Sequence, residues 1–95
     1  MKVIVGLMTL DLFLPVSGSL KEKRMVIKSL KDRIHNRYNV SIAEVDFLDK
    51  WQRSRLGIAL VANDYSHIEK NMNAIFNYIE STGKAEIVDH SFEFL

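Results

Sequence analysis

Two stretches of the chain are apolar at nearly every position, and they frame the rest. In Val3–Leu14, Val3, Val5, Leu7 and Phe13 fall on one alternating face, and Ile4, Met8, Leu10, Leu12 and Leu14 on the other. A strand predicted over Arg55–Ala62 repeats the pattern in Leu56-Gly57-Ile58-Ala59-Leu60-Val61-Ala62. Strands apolar on both sides belong at the centre of a sheet, covered twice. Pro15, which has no N–H to give a neighbour, ends the first one. Val40–Leu48 alternates only in part. Ala43, Val45 and Phe47 face one way, and Ile42, Glu44, Asp46 and Leu48 the other, as in a half-solvated strand. Ala85–Phe94 predicts a last strand with Val88, His90, Phe92 and Phe94 on one face.

Between the strands the period changes to that of a helix. Ser19-Leu20-Lys21-Glu22 is a capping box that opens a helix running to about Arg37. Leu20, Ile27, Leu30 and Ile34 share its apolar face, with Val26 at the margin, and Asn39 is the predicted stop. Asn63-Asp64-Tyr65-Ser66 opens a second helix. Ser66 and Glu69 form another capping box, with Asp64 as the alternative cap. Ile68, Met72, Ile75, Phe76 and Ile79 make its buried stripe, and Gly83 supplies a left-handed stop. A polar loop, Asp49–Ser54, holds Trp51 between the second and third strands.

The order β-α-β-β-α-β is the split βαβ, an α+β ferredoxin-like arrangement. It predicts a four-stranded antiparallel sheet with both helices on one face. The first and third strands are expected as parallel neighbours in the middle. The second and fourth are expected at the edges, where charge accumulates (Glu44, Asp46, Asp49; Glu86, Asp89, Glu93). Two helices cover one face only, yet the central strands are apolar on both. A bare apolar face of that size is unusual on a monomer, so a second copy of the chain is expected to cover it in a two-fold homodimer. The pattern does not say which alternation of the first strand faces the helices.

At 95 residues the chain is a single domain, 1–95. Apolar residues at 47 % and charged residues at 26 % are those of an ordinary globular protein. The absence of cysteine excludes disulfides, thiolate metal sites and a cysteine nucleophile. The three histidines, His35, His67 and His90, sit on separate elements without metal-ligand spacing, and neither a nucleophile elbow nor a glycine-rich phosphate loop is present. No cofactor and no enzymatic activity are expected. Asp11, Glu44 and Asp46 form a carboxylate cluster only if the strands bring them together. The apolar run at the start is shorter than the ~20 residues of a spanning helix. Lys2, Val3–Leu10 and Val16-Ser17-Gly18 imitate an export signal, but Asp11 inside the run, Pro15 after it and the β-branched content favour a strand and a cytoplasmic location.

The net charge of +1 hides an asymmetry. From Lys21 to Arg37 seven basic residues face two acidic ones, a surplus of five, so the remainder carries −4. Lys21, Arg24, Lys28, Lys31 and His35 recur every three or four positions and share one flank of the helix. Such a stripe suits a phosphate backbone; the plainer alternative is a solvated helix face. The turn at Val16–Ser19 offers free N–H groups to a phosphate near Lys21 and Arg24. Trp51-Gln52-Arg53, with Arg55 nearby, offers a base-stacking or interface-anchoring tryptophan, although folding back over the end of the sheet is its commoner role. The central strands lack the interleaved aromatics of an RRM. The candidate RNA-contact residues are therefore Lys21, Arg24, Lys28, Lys31, Trp51, Arg53 and Arg55.

Ser19-Leu20-Lys21-Glu22-Lys23-Arg24, Val40-Ser41-Ile42-Ala43-Glu44-Val45, Trp51-Gln52-Arg53, Leu56-Gly57 and Asn63-Asp64 together resemble the YlxP-like family of short bacterial proteins, a domain of unknown function. The resemblance fades after Gly83. It implies a ferredoxin-like fold, a cytoplasmic bacterial setting and genes placed beside translation and ribosome-maturation factors, and it carries over no catalytic residue. Together these point to a non-enzymatic RNA- or ribosome-associated protein. The alternative is a protein-interaction or small-ligand-binding module that uses the open sheet face.

Overall fold

The computed structural model describes residues 2–95. Its elements are β1 (Ile4–Phe13), α1 (Leu20–Arg37), β2 (Ser41–Asp46), β3 (Arg53–Ala62), α2 (Tyr65–Ser81) and β4 (Glu86–Phe94). The strands form one sheet in the order β2-β3-β1-β4, antiparallel at every junction. The expected parallel pairing of the central strands is thus corrected. Helix α1 returns the chain so that β2 runs parallel to β1 one strand away. The β2–β3 hairpin then reverses direction, and β3 fills the gap antiparallel to β1.

Even-numbered positions of β1 (Ile4, Met8, Leu10, Leu12) and of β3 (Leu56, Ile58, Leu60) share one core with Ile27, Leu30 and Ile34 of α1 and with Ile68, Met72, Ile75 and Ile79 of α2. Each such side chain contributes about 1.5–3 kcal/mol by leaving water. The alternation left open by the pattern is therefore settled. The bare face is built from Val5, Leu7, Thr9, Asp11 and Phe13, in register with Val61, Ala59, Gly57, Arg55 and Arg53. Phe13 is an aromatic on the open face, although it stands at one end of it. A side chain at Gly6 would run into Ile68 and Phe92, so this glycine lets α2 settle directly on β1.

Ser19 caps α1 by accepting the Glu22 N–H at 3.1 Å, and Glu22 reaches back to the Gly18 N–H at 2.9 Å rather than to the cap's own N–H. The helix ends at Tyr38 in extended backbone, without a left-handed residue. Asp64, not Ser66, caps α2, accepting the Ser66 N–H at 3.0 Å. Gly83 has φ +69°, the left-handed stop expected of it. Strand β3 starts two residues earlier than the polar-loop reading allowed, because Arg53 and Ser54 pair with Phe13 and Leu12. In β4 a bulge intervenes: Ile87 pairs with Leu12 and Asp89 with Asp11. Ile87 packs on the core and Val88 is exposed, so Val88 leaves the face that carries His90, Phe92 and Phe94.

Candidate nucleic-acid interface

The basic stripe lies on the flank of α1 that leans toward the edge strand β2, where Lys31 and His35 border a surface depression with Ile42. Lys21, Arg24, Lys28 and His35 are exposed and Lys31 is half-buried. From Lys21 to His35 the flank runs ~21 Å at 1.5 Å per residue. Lys28 pairs with Asp32 one turn on, at 2.8 Å. That hydrogen bond raises the Lys28 ammonium above its ordinary value and lowers the Asp32 carboxyl below its own. Arg33 and Arg37 belong to the opposite flank. Arg37 lies over the Tyr78 ring of α2 at 5.1 Å, and Arg33 lines the cleft toward α2 with Lys84.

Lys23 is not on the surface at all. Its side chain has no solvent exposure, and its Nζ lies 2.6 Å from Glu44 Oε2, 2.8 Å from the Phe47 carbonyl and 3.3 Å from the Leu48 carbonyl. Glu44 also accepts from Ser54 Oγ at 2.6 Å. An ammonium has three protons to donate, and three acceptors are present, the condition under which a buried charge is tolerated. The network fastens the first turns of α1 to the β2–β3 loop. Phe47 there has φ +61°, a strained value for an aromatic, and its N–H is taken by Asp46 Oδ1 at 2.7 Å. The loop is tied to the end of β1 as well: the Leu14 N–H donates to the Gln52 carbonyl at 2.9 Å. Sequence reading missed this anchor, although a signal exists. Lys23 stands four residues before Ile27 on the apolar stripe of α1.

The loop holds Trp51 in solvent. It is 56 % exposed and does not fold back over the sheet, because the anchored backbone carries it beyond the end of β2. Trp51 thus shares one end of the molecule with Lys21 and Arg24. Arg53 and Arg55 sit at that end on the open-face side. Arg53 lies 4.7 Å from the Phe47 ring centre. Arg55 grips Asp11 with two bonds, 2.6 and 3.0 Å, and reaches Asp46 at 3.1 Å. The Arg55 hydrogen bond, followed by its charge, holds the Asp11 carboxyl below the usual range. Asp11 and Asp46 therefore share one guanidinium, while Glu44 lies apart with Lys23 on the helix side of the sheet. The turn before α1 offers less to an anion than expected, since the Glu22 carboxylate already occupies the Gly18 N–H.

On the bare face, exposed Val3, Val61 and Leu95 surround the half-buried Val5 and Leu7. Among the described residues no cluster of three His, Asp or Glu side chains is placed to hold a metal, and no helix is long and apolar enough to cross a membrane.

A family model described as "Protein of unknown function (DUF503)" matches residues 5–92, continuing past Gly83 through most of β4. "Uncharacterized protein YlxP" of Bacillus subtilis (strain 168) is 36 % identical over 83 residues, covering 87 % of this chain and 90 % of that protein. Among solved structures, the de novo designed protein Foldit4 superposes with a TM-score of 0.55 at 12 % identity, over 99 % of this chain and 97 % of that one. A C-terminal segment of the alpha subunit of aIF2 from Pyrococcus abyssi superposes with a TM-score of 0.49 at 15 % identity, over 100 % of this chain and 51 % of that one. The likeness to the designed protein shows the fold alone. The family match and the Bacillus relative establish that this chain belongs to the DUF503 family of proteins of unknown function.

Proposed function

We propose that the β2-side flank of α1 and the Trp51 loop form one RNA-contact surface, acting by binding and not by catalysis. Lys21, Arg24, Lys28 and Lys31 track the phosphate backbone, and Trp51 stacks on an unpaired base at its end. Arg53 stands beside the loop and adds positive charge. Arg55, already committed to Asp11 and Asp46, orders this end of the sheet and contributes little to a phosphate. The observation that carries the reading is the buried Lys23–Glu44 anchor, which holds an exposed tryptophan in fixed relation to the first turn of a basic stripe. An exposed aromatic on a rigid loop loses little entropy on binding. A structured RNA such as a ribosomal subunit offers both features, a phosphate track and splayed bases, and implies a cytoplasmic site of action.

The test is fluorescence anisotropy with single-stranded RNA over a salt series, together with co-sedimentation with ribosomal subunits. Four neutralised phosphates give a slope of log K against log[salt] near −3, at about −0.7 per phosphate. Salt-independent binding, or none, overturns the reading.

A second copy of the chain on the bare sheet face is favoured by a separate observation: Val3, Val61 and Leu95 are 63, 66 and 71 % exposed and lie together. The four strands, of ten, six, ten and nine residues, present roughly 550 Å² at ~4.8 Å between strands and ~3.3 Å per residue. Two such faces bury about 1,100 Å², just above the ~1,000 Å² that a specific interface needs. Light scattering decides between a mass of one chain and of two.

A further inference from the structure

The opposite edge of the sheet has a different character. β4 is an edge strand, and its side chains are mostly solvated. The Leu95 N–H donates inward to the Val5 carbonyl at 2.8 Å. By the alternation of an antiparallel ladder, the backbone groups of His90, Phe92 and Phe94 then point outward, away from β1. The His90 N–H is taken by the Asp89 side chain at 2.9 Å, as befits an outward donor. From the His90 carbonyl through Phe94 the edge has room for another strand.

The same three side chains face α2. Between β4 and α2 runs a groove of about 490 Å³, floored by Met8 and Met72 and walled by Phe76, His90 and Phe92. Phe76 and His90 meet edge to face at 5.2 Å, as do Phe92 and Phe94 at 4.9 Å, which stiffens the wall. Glu69, Asn73 and Asn77, four residues apart, form one ridge of α2 along the groove. On the sheet's other side, β4 presents Asp89 and Glu93, in register with Asp11 and Leu7.

We propose that this edge binds an extended peptide segment in which apolar and basic residues alternate, the segment adding to β4 as a fifth strand. Successive side chains of a strand point to opposite faces. One set therefore enters the Phe76–Phe92 groove, where the Asn73 and Asn77 amides lie beside it. The other set falls over Asp89 and Glu93 and is lysine or arginine by charge. The acidic edge disfavours self-pairing, because a second copy of β4 brings its own Glu86, Asp89 and Glu93. This site is independent of the RNA surface, which lies on the far side of the molecule.

The experiment uses the full chain, labelled with ¹⁵N, and a blocked heptapeptide alternating lysine and valine. Its control is the same peptide N-methylated at the positions that pair with β4, so that charge is kept and hydrogen bonding lost. Binding should shift the Phe92 and Phe94 amides and slow their exchange, and the methylated peptide should bind at least tenfold more weakly. Glu93→Lys, on the exposed edge, should weaken the parent peptide by roughly tenfold through like-charge repulsion. Equal binding of both peptides would reduce the site to unspecific charge attraction. That result, perturbations confined to α1 or the bare face, or no shift at about 1 mM peptide each overturns the proposal.

Discussion

Lys23→Met removes one ammonium and keeps most of the side chain's bulk, so it isolates the buried anchor. In the folded chain Lys23 is wholly inaccessible, and its Nζ serves Glu44 at 2.6 Å and two carbonyls at 2.8 and 3.3 Å. Without it, the Glu44 carboxyl group is left with only the Ser54 hydroxyl as partner, and the Phe47 and Leu48 carbonyls lose a donor. Breaking a buried pair from one side costs about 3–5 kcal/mol. The Glu44 side chain is 13 % exposed and recovers some hydration, which places the loss at the lower end, about 3 kcal/mol. That is a large share of the ~5–15 kcal/mol that holds a domain folded. Replacing both partners, Lys23→Met with Glu44→Leu, should cost less than the two single changes summed, by at least ~1 kcal/mol, because no charge is then left unpaired. Urea denaturation followed by circular dichroism measures the midpoint, and Trp51 emission reports the loop separately. In the single variant the emission transition should precede the loss of helix, since the anchor fastens that loop. A cost below about 1 kcal/mol, or a double variant that loses the full sum, would refute the pairing.

Lys21→Glu with Arg24→Glu should weaken RNA binding and flatten its salt slope by about 1–2 units, whereas Trp51→Ala should cost ~1–3 kcal/mol of binding with little change in slope, since stacking releases no counterions. Identical slopes for both variants would sink the division of labour. Leu7→Glu on the bare face should leave the fold intact and convert a dimer to a monomer in light scattering; Leu10→Glu, at a fully buried core position, should unfold the chain instead. For Asp11 the sign follows from its lowered folded pKa: the contribution of the Arg55 bond is present above 3.8 and is lost as pH falls below it through the folded value. Melting temperature should therefore fall more steeply in acid for the native chain than for Asp11→Asn, and parallel profiles would contradict the assignment.

Much of the fold was legible because its determinants are local or periodic. Caps, the Gly83 stop and the two doubly apolar strands each have a sequence signature that needs no knowledge of the partner strand. Two features were not. The direction of β3 relative to β1 follows from counting reversals through the topology, and the pattern of apolar residues is the same for either direction. The bulge at Val88 is decided where Leu12 must pair with Ile87 to keep an apolar residue on the core, so it depends on register with a strand seventy-odd residues away in sequence.

The candidate site shows a different limit. Counting cations along α1 treated seven charges as equivalent, and the fold sorts them into three populations: four on the β2 flank, two against α2, and Lys23 in the core. Periodicity alone could have separated the last, since Lys23, Ile27, Leu30 and Ile34 share one stripe. What no spacing reveals is that Glu44, on a strand read as half solvated, points inward to meet it. The same sorting applies to the whole chain. Its charge asymmetry runs along the sequence, but α1 packs over β2 while α2 covers β1, β3 and β4. The basic flank of α1 and the acidic strand β4 thereby lie along two opposite long edges. Glu86, Asp89 and Glu93 on β4 repel a phosphate backbone from one edge, and the flank of α1 attracts it to the other. The proposed RNA contact therefore has one favourable orientation, and the acidic edge stays free in it.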